Sequence, residues 1–236
     1  MSSSRFPGKV LQPLQGLPLI VSMARRAARA SLLDGVVVIT STDATDDPLA
    51  AALLAADVRV FRGDLHDVLQ RYLDAAHHAQ ATEVVRLTGD CPLIDPATID
   101  AVIALRRSQQ CDYASNIDPP TYPDGLDVEC CTIDALERAG TSARKQQERE
   151  HVTLWMRSAE AGLTRANLRA IADFSHLRLT VDYPDDLAAV RHLVAAIALS
   201  AGAPFDLFDM LRALQAEPEI LVANVHARNE ALRKSP

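Results

Sequence analysis

The sequence predicts an α/β protein built on a mostly parallel sheet covered on both faces by helices. Three observations carry this. Short β-branched runs such as Val36-Val37-Val38-Ile39-Thr40 and Val84-Val85-Arg86-Leu87-Thr88 alternate with segments of helical period. Those runs are apolar almost throughout, as strands buried on both faces are. Their ends are punctuated by Asp, Gly and Pro, as in Thr88-Gly89-Asp90-Cys91-Pro92.

Taken in order, residues 17–32 read as a helix, 35–40 as a strand and 48–56 as a helix capped by Asp47. A strand at 58–61, a helix at 64–79, a strand at 83–88 and a helix at 96–107 continue the alternation. The middle is less regular, with strands expected at 112–115 and 126–132 around a Pro- and Asp-rich loop. A helix at 149–161, strands at 165–171 and 177–181, and helices from Pro184 and over 205–215 complete the chain. A sheet of this kind opens with a strand that delivers the first loop to its carboxyl edge. Here that loop comes first, so the first strand is expected to be missing from the sequence.

The 236 residues are 48% hydrophobic with a net charge of −7, enough apolar material for one large core. No linker divides them, so a single domain over 1–236 is expected. The acidic balance argues against a nucleic-acid partner, and the Arg25, Arg26 and Arg29 cluster reads as a solvated helix face. No apolar run of about 20 residues is present, so no membrane span is expected. Cys91, Cys111, Cys130 and Cys131 match neither a disulfide framework nor a metal motif, and read as reduced thiols of a cytoplasmic protein.

Five segments can carry chemistry. Ser2-Ser3-Ser4-Arg5-Phe6-Pro7-Gly8-Lys9 offers hydroxyls, backbone N–H groups and two cations to a polyphosphate, without being a Walker A loop. Asp90 and Asp182 each stand at the end of a strand, where ligands gather in open α/β sheets, and each offers a hard oxygen to Mg²⁺. The loop Tyr122-Pro123-Asp124-Gly125-Leu126-Asp127-Val128-Glu129 and the run Glu148-Arg149-Glu150-His151 concentrate polar groups. On the residues alone, the N-terminal segment also reads as a floppy polar terminus and Asp90 as a turn cap, and for the last two segments a substrate-facing role and an ordinary solvated loop or acidic helix start are both open.

In order along the chain, S-S-R-F-P-G-K-V-L (3–11), D-D-P-L-A (46–50), F-R-G-D-L-H-D-V-L-Q-R-Y (61–72) and V-R-L-T-G-D-C-P-L-I-D-P (85–96) are followed by T-Y-P-D-G-L-D-V-E (121–129), E-R-E-H-V-T (148–153) and H-L-R-L-T-V-D-Y-P-D-D-L (176–187). This series resembles the acylneuraminate and Kdo cytidylyltransferases, nearest to their spore-coat polysaccharide biosynthesis protein F branch. The resemblance implies a three-layer sandwich of the nucleotide-diphospho-sugar transferase type, with a dimerisation and substrate arm around 119–175 and a homodimer. It also implies transfer of CMP from CTP to an acidic keto-deoxy sugar, releasing pyrophosphate. By matching position, Arg5 and Lys9 would hold the triphosphate with Ser3, Ser4 and Thr88, and Arg71 would lie near the base and ribose. Asp90 and Asp182 would coordinate Mg²⁺. Tyr122, Asp124, Asp127, Glu129, Glu150 and His151 would face the sugar. The sequence departs from the family pattern at its front, where members carry a hydrophobic strand and a further Arg ahead of Ser-Ser-Arg. Two other functions compete: a glycosyltransferase of related fold, disfavoured by Gly89-Asp90-Cys91-Pro92 where a D-x-D motif would stand, and a non-catalytic nucleotide-binding protein.

Overall fold

The computed structural model describes residues 5–200 and 204–221. A small antiparallel hairpin, β1 (Pro13–Leu14) and β2 (Leu17–Pro18), leads into helix α1 (Leu19–Ala27). Then come β3 (Val37–Ser41), α2 (Asp47–Ala55), β4 (Arg59–Gly63), α3 (Val68–His78), β5 (Glu83–Arg86) and α4 (Pro96–Gln109). The second half holds β6 (Tyr113–Ser115), β7 (Glu129–Thr132), α5 (Ile133–Ser142), α6 (Gln146–Glu150), β8 (Arg165–Asn167), α7 (Pro184–Ser200) and α8 (Leu207–Ala216).

Strands β3 and β4 pair in parallel as one sheet, and the other runs β5-β7-β6-β8, in which β7 is antiparallel to both neighbours and β8 is parallel to β6. Side-chain alternation sorts the core into layers. Ala114, Val128 and Cys130 pack with α1 and α4 residues such as Ile99 and Ile103, whereas Tyr113 and Cys131 pack with Leu69, Leu73 and Leu136 of α3 and α5. Cys130 and Cys131 therefore face opposite helix layers; all four cysteines are free and buried. A third cluster gathers Leu179, Val181 and Leu193 with α8. No helix among the described residues is long and apolar enough to cross a membrane.

Several expected elements are changed. The helix expected at 17–32 is confined to Leu19–Ala27. Its Arg26 is no solvated face: it donates to the Ile94 carbonyl at 3.0 Å and stacks on Phe205, and burial lowers its pKa to about 10. Asp46, not Asp47, precedes α2; its carboxylate accepts from Thr40 Oγ1 at 2.6 Å and from the Ser41 N–H and Oγ at 3.0 and 2.6 Å, so it ties off the end of β3. The helix expected at 149–161 ends at Glu150, because buried Val152 adopts φ +54, a left-handed conformation costly for a β-branched residue. The expected strand at 177–181 makes only one bridge, Asp124 to Arg178. Its backbone bonds to loops instead: Leu179 N–H to the Asp124 carbonyl (2.6 Å) and Val181 N–H to the Asp90 carbonyl (2.8 Å).

Candidate active site

The two aspartates expected to act together do meet, and the Val181–Asp90 bond that replaces a ladder brings them there. Asp90 stands on the turn after β5, closed by the Cys91 N–H to the Thr88 carbonyl at 3.1 Å. Thr180 Oγ1 adds a second bond to the Asp90 carbonyl at 3.2 Å. The chain enters beside them. Gly8 takes φ +70, which turns the segment so that Lys9 N–H reaches the Phe6 carbonyl and the side chain points at both carboxylates.

Lys9 Nζ lies 2.8 Å from Asp182 Oδ1 and 3.2 Å from Asp90 Oδ2. Arg5 reaches the same Asp182 oxygen at 2.8 Å, with its guanidinium over the Tyr183 ring. The other Asp182 oxygen accepts from Arg178 at 3.1 Å. Burial alone would raise the Asp182 pKa, but the bonds from Lys9, Arg5 and Arg178 outweigh it and lower it to about 2. Burial likewise works against the Lys9 ammonium, and Asp90 and Asp182 reverse that, leaving its pKa raised.

Arg178 was not singled out in the sequence, yet it is the hub of this cluster. It is buried, and it also pairs with Asp124 (2.9 Å) and Asp186 (3.2 Å). Asp186, fully buried, accepts the N–H groups of Asp182 and Tyr183 at 2.7 and 2.9 Å, so the strand end and the α7 start are clamped by one carboxylate. Gly125, at φ +104, permits the approach: a Cβ there would lie 2.6 Å from the Leu179 carbonyl carbon and the Thr180 nitrogen.

A cavity of about 270 Å³ opens on these groups. Arg5, Thr88, Asp90, Asp124, Asp127, Glu129, His151 and Asp182, all expected site residues, line it together with Arg86, Thr153, Arg157 and Arg178. Glu129 is held deep inside by Arg86, Thr153 and the Tyr113 hydroxyl (2.6 Å). Burial raises its pKa, and Arg86 and Arg157 more than offset that, so Glu129 stays ionised. His151 has its pKa lowered, chiefly by burial. A charged Arg86 inside an apolar strand was the one signal in the sequence for this network.

Other expected residues fall elsewhere. Arg71 faces a second cavity, donating to the Asp64 carbonyl at 2.8 Å; Thr88 lines both cavities, so they meet at the end of β5. Tyr122 and Glu150 do not line the smaller cavity. Ser3 and Ser4 lie outside the described residues.

Asp90 and Asp182 each place one oxygen on the Lys9 ammonium, and they are the carboxylates of this site that could hold a divalent cation. Among the described residues there is no cluster of three or more His, Cys, Asp or Glu for a metal, so phosphate and water oxygens would have to complete its shell. Mg²⁺ commonly binds that way.

Comparison with known proteins places the chain. The cytidylyltransferase family model matches residues 1–192. The spore coat polysaccharide biosynthesis protein SpsF of Bacillus subtilis is 32% identical over 199 residues, covering 82% of each chain. The 3-deoxy-manno-octulosonate cytidylyltransferase of Chlorobaculum parvum is 35% identical over 133 residues, 56% of this chain and 47% of that protein. The structure of a cytidylyltransferase from Leptospira borgpetersenii superposes with a TM-score of 0.88 at 29% identity, covering 97% of this chain and 95% of that one. The expected α/β fold of the nucleotide-diphospho-sugar transferase type is thereby established, and where a mostly parallel sheet was expected β7 runs antiparallel to both its neighbours. The family match runs through Arg5, Lys9, Asp90 and Asp182, and on it this chain belongs to the cytidylyltransferase family and is a nucleotidyltransferase.

Proposed function

We propose that the protein transfers CMP from CTP to the anomeric hydroxyl of a keto-deoxy sugar acid, releasing pyrophosphate, in the synthesis of a surface polysaccharide. One observation carries this reading: a Lys–Asp–Asp cluster, flanked by Arg5, adjoins a cavity that both aspartates line together with Asp127, Glu129 and His151. The name of the Chlorobaculum relative supports the substrate class, and that of the Bacillus relative supports the polysaccharide.

In this reading Arg5 and Lys9 leave the carboxylates and take the triphosphate, neutralising charge on the departing pyrophosphate. Asp90 and Asp182, freed of Lys9, hold Mg²⁺, which supplies charge neutralisation at the α-phosphate. The base and ribose extend from Thr88, where the two cavities meet, toward Arg71. The sugar sits against Asp127, Glu129 and His151. Because burial lowers its pKa, His151 is neutral at neutral pH and can accept a proton from the attacking hydroxyl. The oxygen attacks the α-phosphorus in line, and no covalent enzyme intermediate is required. Asp124 lines the cavity and holds Arg178, while Tyr122 and Glu150 act through the loops that frame the sugar. We also place the enzyme in the cytoplasm, as a homodimer joined through residues 119–175.

Pyrophosphate release from CTP and Mg²⁺ with a panel of keto-deoxy sugar acids tests this directly. Turnover with at least one acid, and none without it, is expected. Transfer from a UDP- or GDP-sugar, with no pyrophosphate from CTP, would instead assign the site to a glycosyltransferase.

A further inference from the structure

Asp182 offers its two oxygens on different terms. Oδ1 accepts from Arg5 Nη2 and Lys9 Nζ, both at 2.8 Å, and both donors precede β1 in the chain. The Arg5 side chain is 45% exposed, so that contact faces solvent. Oδ2 accepts instead from Arg178 Nη2 at 3.1 Å, inside the fold. One oxygen is therefore held by groups that a ligand can draw away, and the other by a group that the core retains.

That retention has a specific cause. Arg178, Thr180 and Asp182 alternate with Leu179 and Val181, which are buried in the core, so the arginine is anchored at its own backbone. Its Nε and Nη2 lie 3.3 and 3.2 Å from the two oxygens of Asp186, a side-on fork, and its Nη1 lies 2.9 Å from Asp124. Asp186 is fully buried and also accepts the N–H groups of Asp182 and Tyr183. Asp124 is fixed through its backbone, which bonds to Leu177 and Leu179. Moving Arg178 away would take a counter-ion from two buried carboxylates at once, a large penalty. Lys9 and Arg5 face no such barrier, because a triphosphate can replace the carboxylates they leave.

We infer that Arg178 is a positioning residue that restricts Asp182 to a single metal-binding oxygen, and thereby sets which divalent cation the site accepts. The inference rests on the proposed reading, in which Asp90 and Asp182 hold the metal. When Arg5 and Lys9 move to the triphosphate, Oδ1 is released and Oδ2 stays with Arg178. Asp182 then cannot grip a cation through both oxygens. Among the described residues no group of three or more His, Cys, Asp or Glu adds further ligands, so the protein supplies few oxygens. That donor set suits Mg²⁺ or Mn²⁺, small octahedral ions whose shells phosphate and water oxygens complete. It disfavours Ca²⁺, which takes a larger shell and gains from bidentate carboxylates.

The test reads metal binding directly, with the protein in excess over CTP and no sugar acid present. Bound Mn²⁺ is followed by electron paramagnetic resonance, and Mg²⁺ and Ca²⁺ by their ability to displace it. In the parent chain Mg²⁺ is expected to displace Mn²⁺ at a concentration about 10-fold or more below that of Ca²⁺. Arg178→Lys keeps a buried cation for Asp124 and Asp186 but removes the fork that reaches Asp182 Oδ2. It is expected to narrow the gap between Mg²⁺ and Ca²⁺ by about 10-fold, with Mn²⁺ still bound. An unchanged gap, or equal weakening of all three ions, would overturn the inference, the latter by showing that Arg178 only supports the fold. Ca²⁺ that matches Mg²⁺ in the parent chain would overturn it whether or not Arg178→Lys folds. Asp182→Asn separates the two failures. Loss of Mn²⁺ in that variant upholds the metal ligands, so an unchanged gap in Arg178→Lys then counts against the inference alone. Mn²⁺ binding that survives Asp182→Asn would overturn the reading of the metal ligands, and the inference with it.

Discussion

At the scale of residues, the site is a set of charges that hold one another in register. Asp182 is shared: one oxygen serves Arg5 and Lys9, the other Arg178. Asp182→Asn keeps the shape and removes the charge, and is expected to lower kcat/KM by about 100-fold or more in the pyrophosphate assay, with the far-UV circular dichroism unchanged. The same carboxylate makes a pH prediction. Its pKa falls from 3.8 to about 2 on folding, so its contribution is fully present above pH 3.8 and is lost as pH drops through about 2. Urea midpoints measured from pH 5 down to pH 2 should therefore fall less steeply in Asp182→Asn than in the parent chain. Asp90 and Asp182 were legible because carboxylates and turn-forming residues follow strand-like runs, and Arg5 and Lys9 through the motif series that resembles the cytidylyltransferases. Arg178 was not, since an arginine within Leu177-Arg178-Leu179-Thr180-Val181 reads equally well as the solvent face of a strand.

Elements position these residues through loops more than through ladders. The alternating segment 177–181 reads as a strand because it is strand-like in composition, but its bonds go to Asp124 and Asp90. That contact exists only because Gly125 lets two backbones touch. Gly125→Ala adds a Cβ where no space exists and where φ is +104; it should cost about 2 kcal/mol or more by chemical denaturation and weaken nucleotide binding through Asp182. Asp46 plays a comparable part at β3, and Asp46→Ala, which strands Thr40 and Ser41, should cost about 2–3 kcal/mol. The helix expected at 149–161 shows the opposite failure. Its residues have helical spacing, but Val152 turns left-handed and Thr153 is drawn to Glu129, so site geometry overrides local preference.

At the scale of the whole molecule, the β3-β4 pair and the four-stranded sheet share helices but, among the described residues, no hydrogen-bonded edge. They should not open as one unit. Native-state hydrogen exchange on the chain as given is expected to show β3 and β4 opening at a lower free energy than β6 and β7, and equal protection would contradict that. By itself the sequence determined the class of fold and the order of most elements, because hydrophobic period and turn residues are local properties of the chain, and it marked Asp90 and Asp182 as strand-end carboxylates; Arg5 and Lys9 were picked out by the motif series shared with the cytidylyltransferases. Tertiary structure alone decided that Arg178 and Asp186 clamp Asp182, that Glu129 is an ionised group deep in the cavity, that Arg71 faces a different cavity, and that β7 runs antiparallel through the sheet. Each of these depends on which distant segments pack together, and that choice is made by long-range burial and by the pairing of buried charges, which local sequence pattern does not encode.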